Sequence, residues 1–162
     1  MTQRELPKRK TMRAESCDYS ATGAYFVTLC AANREKIFWS DCRGELCSPA
    51  DVKLANIGII VDNEIQKLDS VYHAVSVDKY CIMPDHIHII LSIHTDEKGR
   101  TQFSPTISRA LKQFKGAVTK QVGKPIWQKS FFDHVIRNQQ DYDEIWKYIE
   151  NNPLKYLLKN AP

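Results

Sequence analysis

A chain of 162 residues with 43% hydrophobic and 26% charged residues is long enough for one domain with a real core, and too apolar to remain disordered. No apolar run approaches the roughly 18 residues of a membrane span, and no apolar stretch follows the basic N-terminus as in a secretory signal. A cytoplasmic protein with no membrane partner is expected.

Net charge is only +4, but it is unevenly spread. Residues 1–20 are polar, and the first thirteen carry Arg4, Lys8, Arg9, Lys10 and Arg13 against a single acid, Glu5. They read as a basic N-terminal arm, which leaves 21–162 as one domain. Residues 98–129 hold Lys98, Arg100, Arg109, Lys112, Lys115, Lys120, Lys124 and Lys129 with no Asp or Glu. A field of one sign attracts polyanions such as nucleic acid, although a solvated helix face has the same composition. The five cysteines, Cys17, Cys30, Cys42, Cys47 and Cys81, form no CxxC pair. Cys42 and Cys47 are close enough to hold a metal, but scattered reduced thiols are the favoured reading.

In chain order, "TGAYFVTLCAA" (22–32) predicts a first strand, rich in β-formers after Gly23. A helix is expected from Ser48-Pro49, with Asp51 as a capping-box acid and Leu54, Gly58, Val61, Ile65 and Leu68 on one buried face. "YHAVSVDKYCIMP" and "HIHIILSIH" then predict an antiparallel pair joined at Met83-Pro84-Asp85. A second Ser-Pro entry, Ser104-Pro105, opens a helix with an apolar stripe of Ile107, Leu111, Phe114, Val118 and Val122. "IWQKSFFDHVI" (126–136) supplies a fourth strand, and a last helix opens at Asn138. Its end or a kink is expected at Pro153, because the residue before a proline is biased out of the helical region. The order β-α-β-β-α-β-α predicts an α+β fold: a ferredoxin-like split βαβ plan, its antiparallel sheet packed by two helices, extended by a C-terminal helix. Many unrelated activities use that plan, so function must be argued from the site.

Two places carry candidate chemistry. In "MPDHIHIILSI", strand alternation puts His86 and His88 on one face and Ile87, Ile89 and Leu91 on the other. The two histidines lie roughly 6.5 Å apart at the backbone, so their imidazoles can converge on one ion and leave positions for a third ligand or substrate. Local hydrogen bonding on a polar face is the commoner role of an isolated His-x-His. Asp85 can orient one ring. In "DYDEIWKYIENNPLKY", Tyr148 and Asn152 are four apart and share a helix face; a phenol and an amide oxygen side by side can serve as nucleophile and metal ligand. Spacing alone equally allows Tyr142, Trp146, Tyr148 and Ile149 as core, with Asn152 as a C-cap.

The combination resembles the HUH single-strand-DNA transposases and, more narrowly, the REP-associated tyrosine transposases and related bacterial insertion-sequence enzymes. The matching stretches are "GAYFVTLCAANRE", "DKYCIMPDHIHIIL", "LKQFKGAVT" and "IWQKSFFDHVIRNQQDYDEIWKYIENNPLKY", in the family's order and spanning residues 23 to 156. The resemblance implies that His86 and His88 are metal ligands with Asn152 as the third, and that Tyr148, on the C-terminal helix, is the nucleophile. Tyr142 is the nearest rival, but the family's reactive tyrosine directly precedes "I-x-x-N-P". The resemblance also implies cleavage and rejoining of single-stranded DNA through a 5′-phosphotyrosine, recognition of a hairpin near the cleavage site, and a homodimer. Two imidazoles alone suit Zn, Ni or Fe better than Mg; the resemblance implies Mg or Mn. Lys112, Lys115, Lys129 and Arg137 are the expected phosphate contacts. Many relatives continue beyond the tyrosine helix, whereas this chain ends at Pro162, so DNA contacts made by such a tail are expected to be absent. Two other readings remain: a domesticated nucleic-acid-binding module of the same fold without cleavage, and a small metal-dependent hydrolase that uses water.

Overall fold

A computed structural model describes residues 23–40, 52–72, 74–94 and 107–160. The basic arm, the helix entries at Ser48-Pro49 and Ser104-Pro105, Asp51, Lys98, Arg100, and Cys17, Cys42 and Cys47 lie outside the described residues.

Strands β1 (Gly23–Cys30), β2 (Val75–Ile82), β3 (His86–Ile93) and β4 (Phe132–Ile136) form one sheet in the order β2-β3-β1-β4. Every neighbouring pair is antiparallel. Helices α1 (Asn56–Val71) and α2 (Ile107–Val122) connect the strands, and α3 (Gln139–Lys159) follows the last one. This is the expected α+β split βαβ arrangement, in which β3 separates the two strands that α1 connects.

Alternation along the strands divides the sheet into two unlike faces. Val27 and Leu29 of β1 and Ile87, Ile89 and Leu91 of β3 are completely buried, in one cluster with Val61 and Ile65 of α1 and Leu111 and Val118 of α2. Each such side chain contributes roughly 1.5–3 kcal/mol when removed from water. The opposite face belongs to α3, which lies over β2 and β3 and seals Ile149 completely.

Three expectations are corrected. Residues 52–55 are not helical, and α1 begins only at Asn56. Leu54 precedes the helix and bridges to Trp39 instead of joining the helical stripe. Gly58 explains the close packing here: a Cβ at this position would run into the Phe38 carbonyl oxygen. The fourth strand is shorter than 126–136, with Trp127 making only an isolated bridge to Ala31. Finally, α3 does not end at Pro153 but continues to Lys159. A mid-helix proline costs about 3 kcal/mol locally; beyond it, Tyr156 packs edge-on against Trp39 at 5.4 Å, with Lys36 over its ring. Tertiary contacts therefore oppose the local penalty. The other end matches expectation, with the Asn138 side chain accepting a hydrogen bond from the Asp141 amide as N-cap.

Candidate active site

The site forms where α3 crosses the exit of β1 and the start of β3. His86 and His88 share the α3 face, and their Nε2 atoms are 3.1 Å apart. Asp85 Oδ1 accepts a hydrogen bond from His86 Nδ1 at 2.6 Å, so in the neutral ring Nε2 is the acceptor that faces the site. Arg34 holds the other Asp85 oxygen at 3.4 Å. It does so from a tight turn in which Asn33 and Arg34 both adopt positive φ, 53° and 58°. Non-glycine residues rarely take this conformation.

His88 is built in more deeply and is only 5% exposed. Thr28, its register partner on β1, places Oγ1 2.8 Å from His88 Nδ1. A hydroxyl both donates and accepts, so His88 can present Nε2 either as N–H or as a lone pair. Phe26 stacks on the same ring, with centroids 5.2 Å apart. Burial first, then the neighbouring His86, lowers the His88 pKa to about 3. The ring is therefore neutral at physiological pH, the form in which imidazole binds a metal.

Tyr148 reaches this pair from α3. Its Oη stands 3.5 Å from His88 Nε2, its ring meets His88 edge-on at 5.3 Å, and it is 45% exposed. A phenol beside the histidines and open to solvent can meet a bulky substrate. Tyr142 is tied elsewhere: its hydroxyl donates to Asp78 Oδ2 at 2.9 Å, and burial followed by that bond pushes its pKa up to about 12. It anchors the helix together with Trp146, over which the Lys79 ammonium lies at 4.6 Å.

Because α3 remains helical through Pro153, Asn152 keeps its place one turn beyond Tyr148 and is half-buried. Its side-chain Nδ2 is buried without a hydrogen-bond partner. An amide's O and N are exchanged by a half-turn, so the buried end of Asn152 can equally offer an oxygen. Two imidazole nitrogens 3.1 Å apart fit adjacent positions on one ion, since ligands about 2.1 Å from an octahedral centre stand roughly 3 Å apart. No group of three or more His, Cys, Asp or Glu converges among the described residues, so a third ligand drawn from those residues would be of another type, such as the Asn152 amide.

The expected basic contacts separate. Lys129 and Arg137 are exposed on either side of β4, and Lys112 is exposed on α2, across the sheet from Tyr148. Lys115 instead donates to the Gln128 carbonyl. The two described cysteines stay protonated thiols: burial pushes Cys81 up to about 12, and burial also raises Cys30, which accepts a hydrogen bond from Arg34. Sequence reasoning missed Thr28, Phe26 and Arg34. The first two are visible only once β1 and β3 are in register; for Arg34 the sequence carries no signal.

Comparison with known proteins gives a consistent result. The family described as "Transposase IS200 like" matches residues 21–152. An uncharacterized protein of Haemophilus influenzae is 29% identical over 165 residues, covering 90% of this chain and 88% of its own length. The REP-associated tyrosine transposase of Escherichia coli K12 is 34% identical over 80 residues, 49% of this chain and 45% of its own length. A solved structure of a REP-associated tyrosine transposase bound to a REP hairpin covers 89% of this chain and 74% of that one. Its TM-score is 0.58 at 23% identity, a likeness of fold.

Proposed function

The chain belongs to the IS200-like transposase family, and from that premise we propose that it is a metal-dependent single-stranded DNA transposase in which Tyr148 is the nucleophile. The observation that carries this reading is the approach of Tyr148 Oη to His88 Nε2, with His86 Nε2 beside it.

In the proposed reaction, Tyr148 Oη attacks a phosphodiester phosphorus. The phenol gives up its proton, the bond to the 3′-oxygen breaks, that oxygen takes up a proton from solvent as a free 3′-hydroxyl, and the 5′-phosphate stays on the tyrosine. Attack by another 3′-hydroxyl reverses the exchange. One phosphodiester replaces another, so no ATP is needed, and a hard displacement becomes two easier ones. Attack on the phosphodiester builds negative charge on the phosphate oxygens, so the site must stabilise it. His86, His88 and Asn152 would hold a divalent ion, Mg or Mn, which would supply Lewis-acid stabilisation of that charge. Asp85 and Thr28 hold the imidazoles in position, and Phe26 fixes the His88 ring. His88 and Tyr148 approach each other within one chain, so the proposed cleavage site is assembled in cis. Lys129 and Arg137, at the two ends of β4, hold phosphates of the bound strand; Lys112, on the opposite side of the sheet, serves another part of a structured substrate. The hairpin-bound relative supports a hairpin near the cleavage site as that substrate.

The test is an oligonucleotide carrying a hairpin and a single-stranded flank, incubated with protein and Mn²⁺ and run on a denaturing gel. A covalent adduct is expected, lost with a chelator and absent from Tyr148→Phe. An adduct that persists in Tyr148→Phe sinks the assignment. Tight, strongly salt-dependent binding with no adduct in any metal would instead identify a binding module.

A further inference from the structure

Helix α3 lies over β2 and β3, but the sheet face that carries the histidines continues across β1 to β4. Thr28 pairs with Phe132, and Phe26 pairs with His134. Directly opposed residues in antiparallel strands project to the same side, so Phe132 lies on the face of Thr28 and His88. It is 46% exposed. The apolar core is on the other face, so packing does not require an aromatic ring here. His134 beyond it is engaged with Asp141 at 2.8 Å.

We propose that Phe132 is the floor of a base-stacking subsite for single-stranded DNA, holding a nucleobase close to the phosphate that Tyr148 attacks. The proposal rests on the phosphotyrosine reading above and assigns where the flanking strand runs. Three observations favour a nucleobase as occupant. First, Phe132 is two strands from His88, roughly 10 Å at about 4.8 Å per strand, a distance that one or two nucleotides can bridge. Second, exposed Lys129 and Arg137 lie just beyond the two ends of β4, so the strand that carries the ring has a cation at each end to meet backbone phosphates. Third, the surface is continuous with the tyrosine: Phe26, between β4 and β3, has its ring 5.2 Å from His88 and 6.1 Å from Tyr148. Aromatic side chains on an open four-stranded face stack bases in RNA-recognition domains, and stacking tolerates any base because each has a π-face.

The experiment uses the full chain and a hairpin-bearing oligonucleotide with a fluorescent adenine analogue stepped through the nucleotides beside the cleaved bond. Tyr148→Phe serves as background so that binding is read without turnover. One position is expected to be quenched on binding. Adding Phe132→Ala should restore its fluorescence and weaken binding about tenfold, with the salt dependence unchanged because no ion pair is lost. Phe132→Trp should retain both properties. An abasic nucleotide at that position should weaken binding by a similar factor and remove the effect of Phe132→Ala. Equal weakening of intact and abasic strands by Phe132→Ala overturns the subsite, as does full function in Phe132→Leu, which keeps an apolar surface without a π-face. Adduct formation is measured in parallel with Tyr148 intact. An adduct together with no effect of Phe132→Ala removes the subsite and leaves the phosphotyrosine reading standing. Stacking without any adduct does the reverse.

Discussion

On the α1–α2 side of the sheet, Leu29, Ile87, Ile89 and Leu91 are wholly buried among Ile65, Leu111 and Val118. On the α3 side the same two strands offer Phe26, Thr28, His86 and His88, tied to one another by hydrogen bonds and ring contacts. One face is dry and interchangeable in detail; the other is polar and specified atom by atom. Because side chains alternate with a period of two, neighbouring residues of β3 serve opposite purposes. The strand is held rigid by its isoleucines, and that rigidity is what positions its histidines.

The comparison predicts that substitutions on the two faces fail differently, and His88→Ala should have the largest effect. Adduct formation on a denaturing gel should fall below detection; because the lost ring is only 5% exposed and leaves a cavity, the yield is compared per folded molecule. Retained adduct formation would mean that the polar face is only a packing surface. Leu111→Ala comes next and tests the dry face. Deleting a fully buried leucine should cost about 2–5 kcal/mol in urea unfolding, with adduct yield per folded molecule unchanged. A specific loss of adduct would show that the two faces are coupled. Gly58→Ala is a smaller disturbance of the same face. The new methyl meets the Phe38 carbonyl oxygen, and overpacking of this kind costs about 1–3 kcal/mol. An unchanged urea midpoint would show that α1 can shift freely.

How much of this was legible in the sequence follows the same division. The split βαβ order, the alternation of His86, Ile87 and His88, and the Asn138 cap are local patterns, so they can be read without knowing the fold. The family resemblance added Tyr148 and Asn152. What could not be read depends on strand register or on contacts far apart in the chain. Thr28 and His88 are sixty positions apart and meet only because β1 and β3 pair in one register. Arg34 reaches Asp85 from a turn whose positive φ values no sequence rule demands. At Pro153 the local rule predicted an end or a kink, and the helix does not end there; Tyr156 and Trp39 pack beyond it. That continuation keeps Asn152 in register with Tyr148.

The smallest predicted effect separates the two tyrosines of α3. Tyr142 donates to Asp78, which also accepts from Ser92 and Ser76. Tyr142→Phe therefore removes one of several donors to a carboxylate and keeps the ring that stacks on Trp146 at 5.9 Å. The expected cost is about 1–2 kcal/mol in urea unfolding, with adduct formation reduced at most severalfold. Tyr148→Phe should show the opposite pattern: its hydroxyl is 3.5 Å from the nearest histidine nitrogen and half in solvent, so its loss should hardly change stability while abolishing the adduct. The two variants differ from the parent by one oxygen atom each, on the same helix, so a reversed result could not be blamed on misfolding. It would transfer the nucleophile to Tyr142, and the proximity of Tyr148 to His88 would then be a packing contact without chemical consequence.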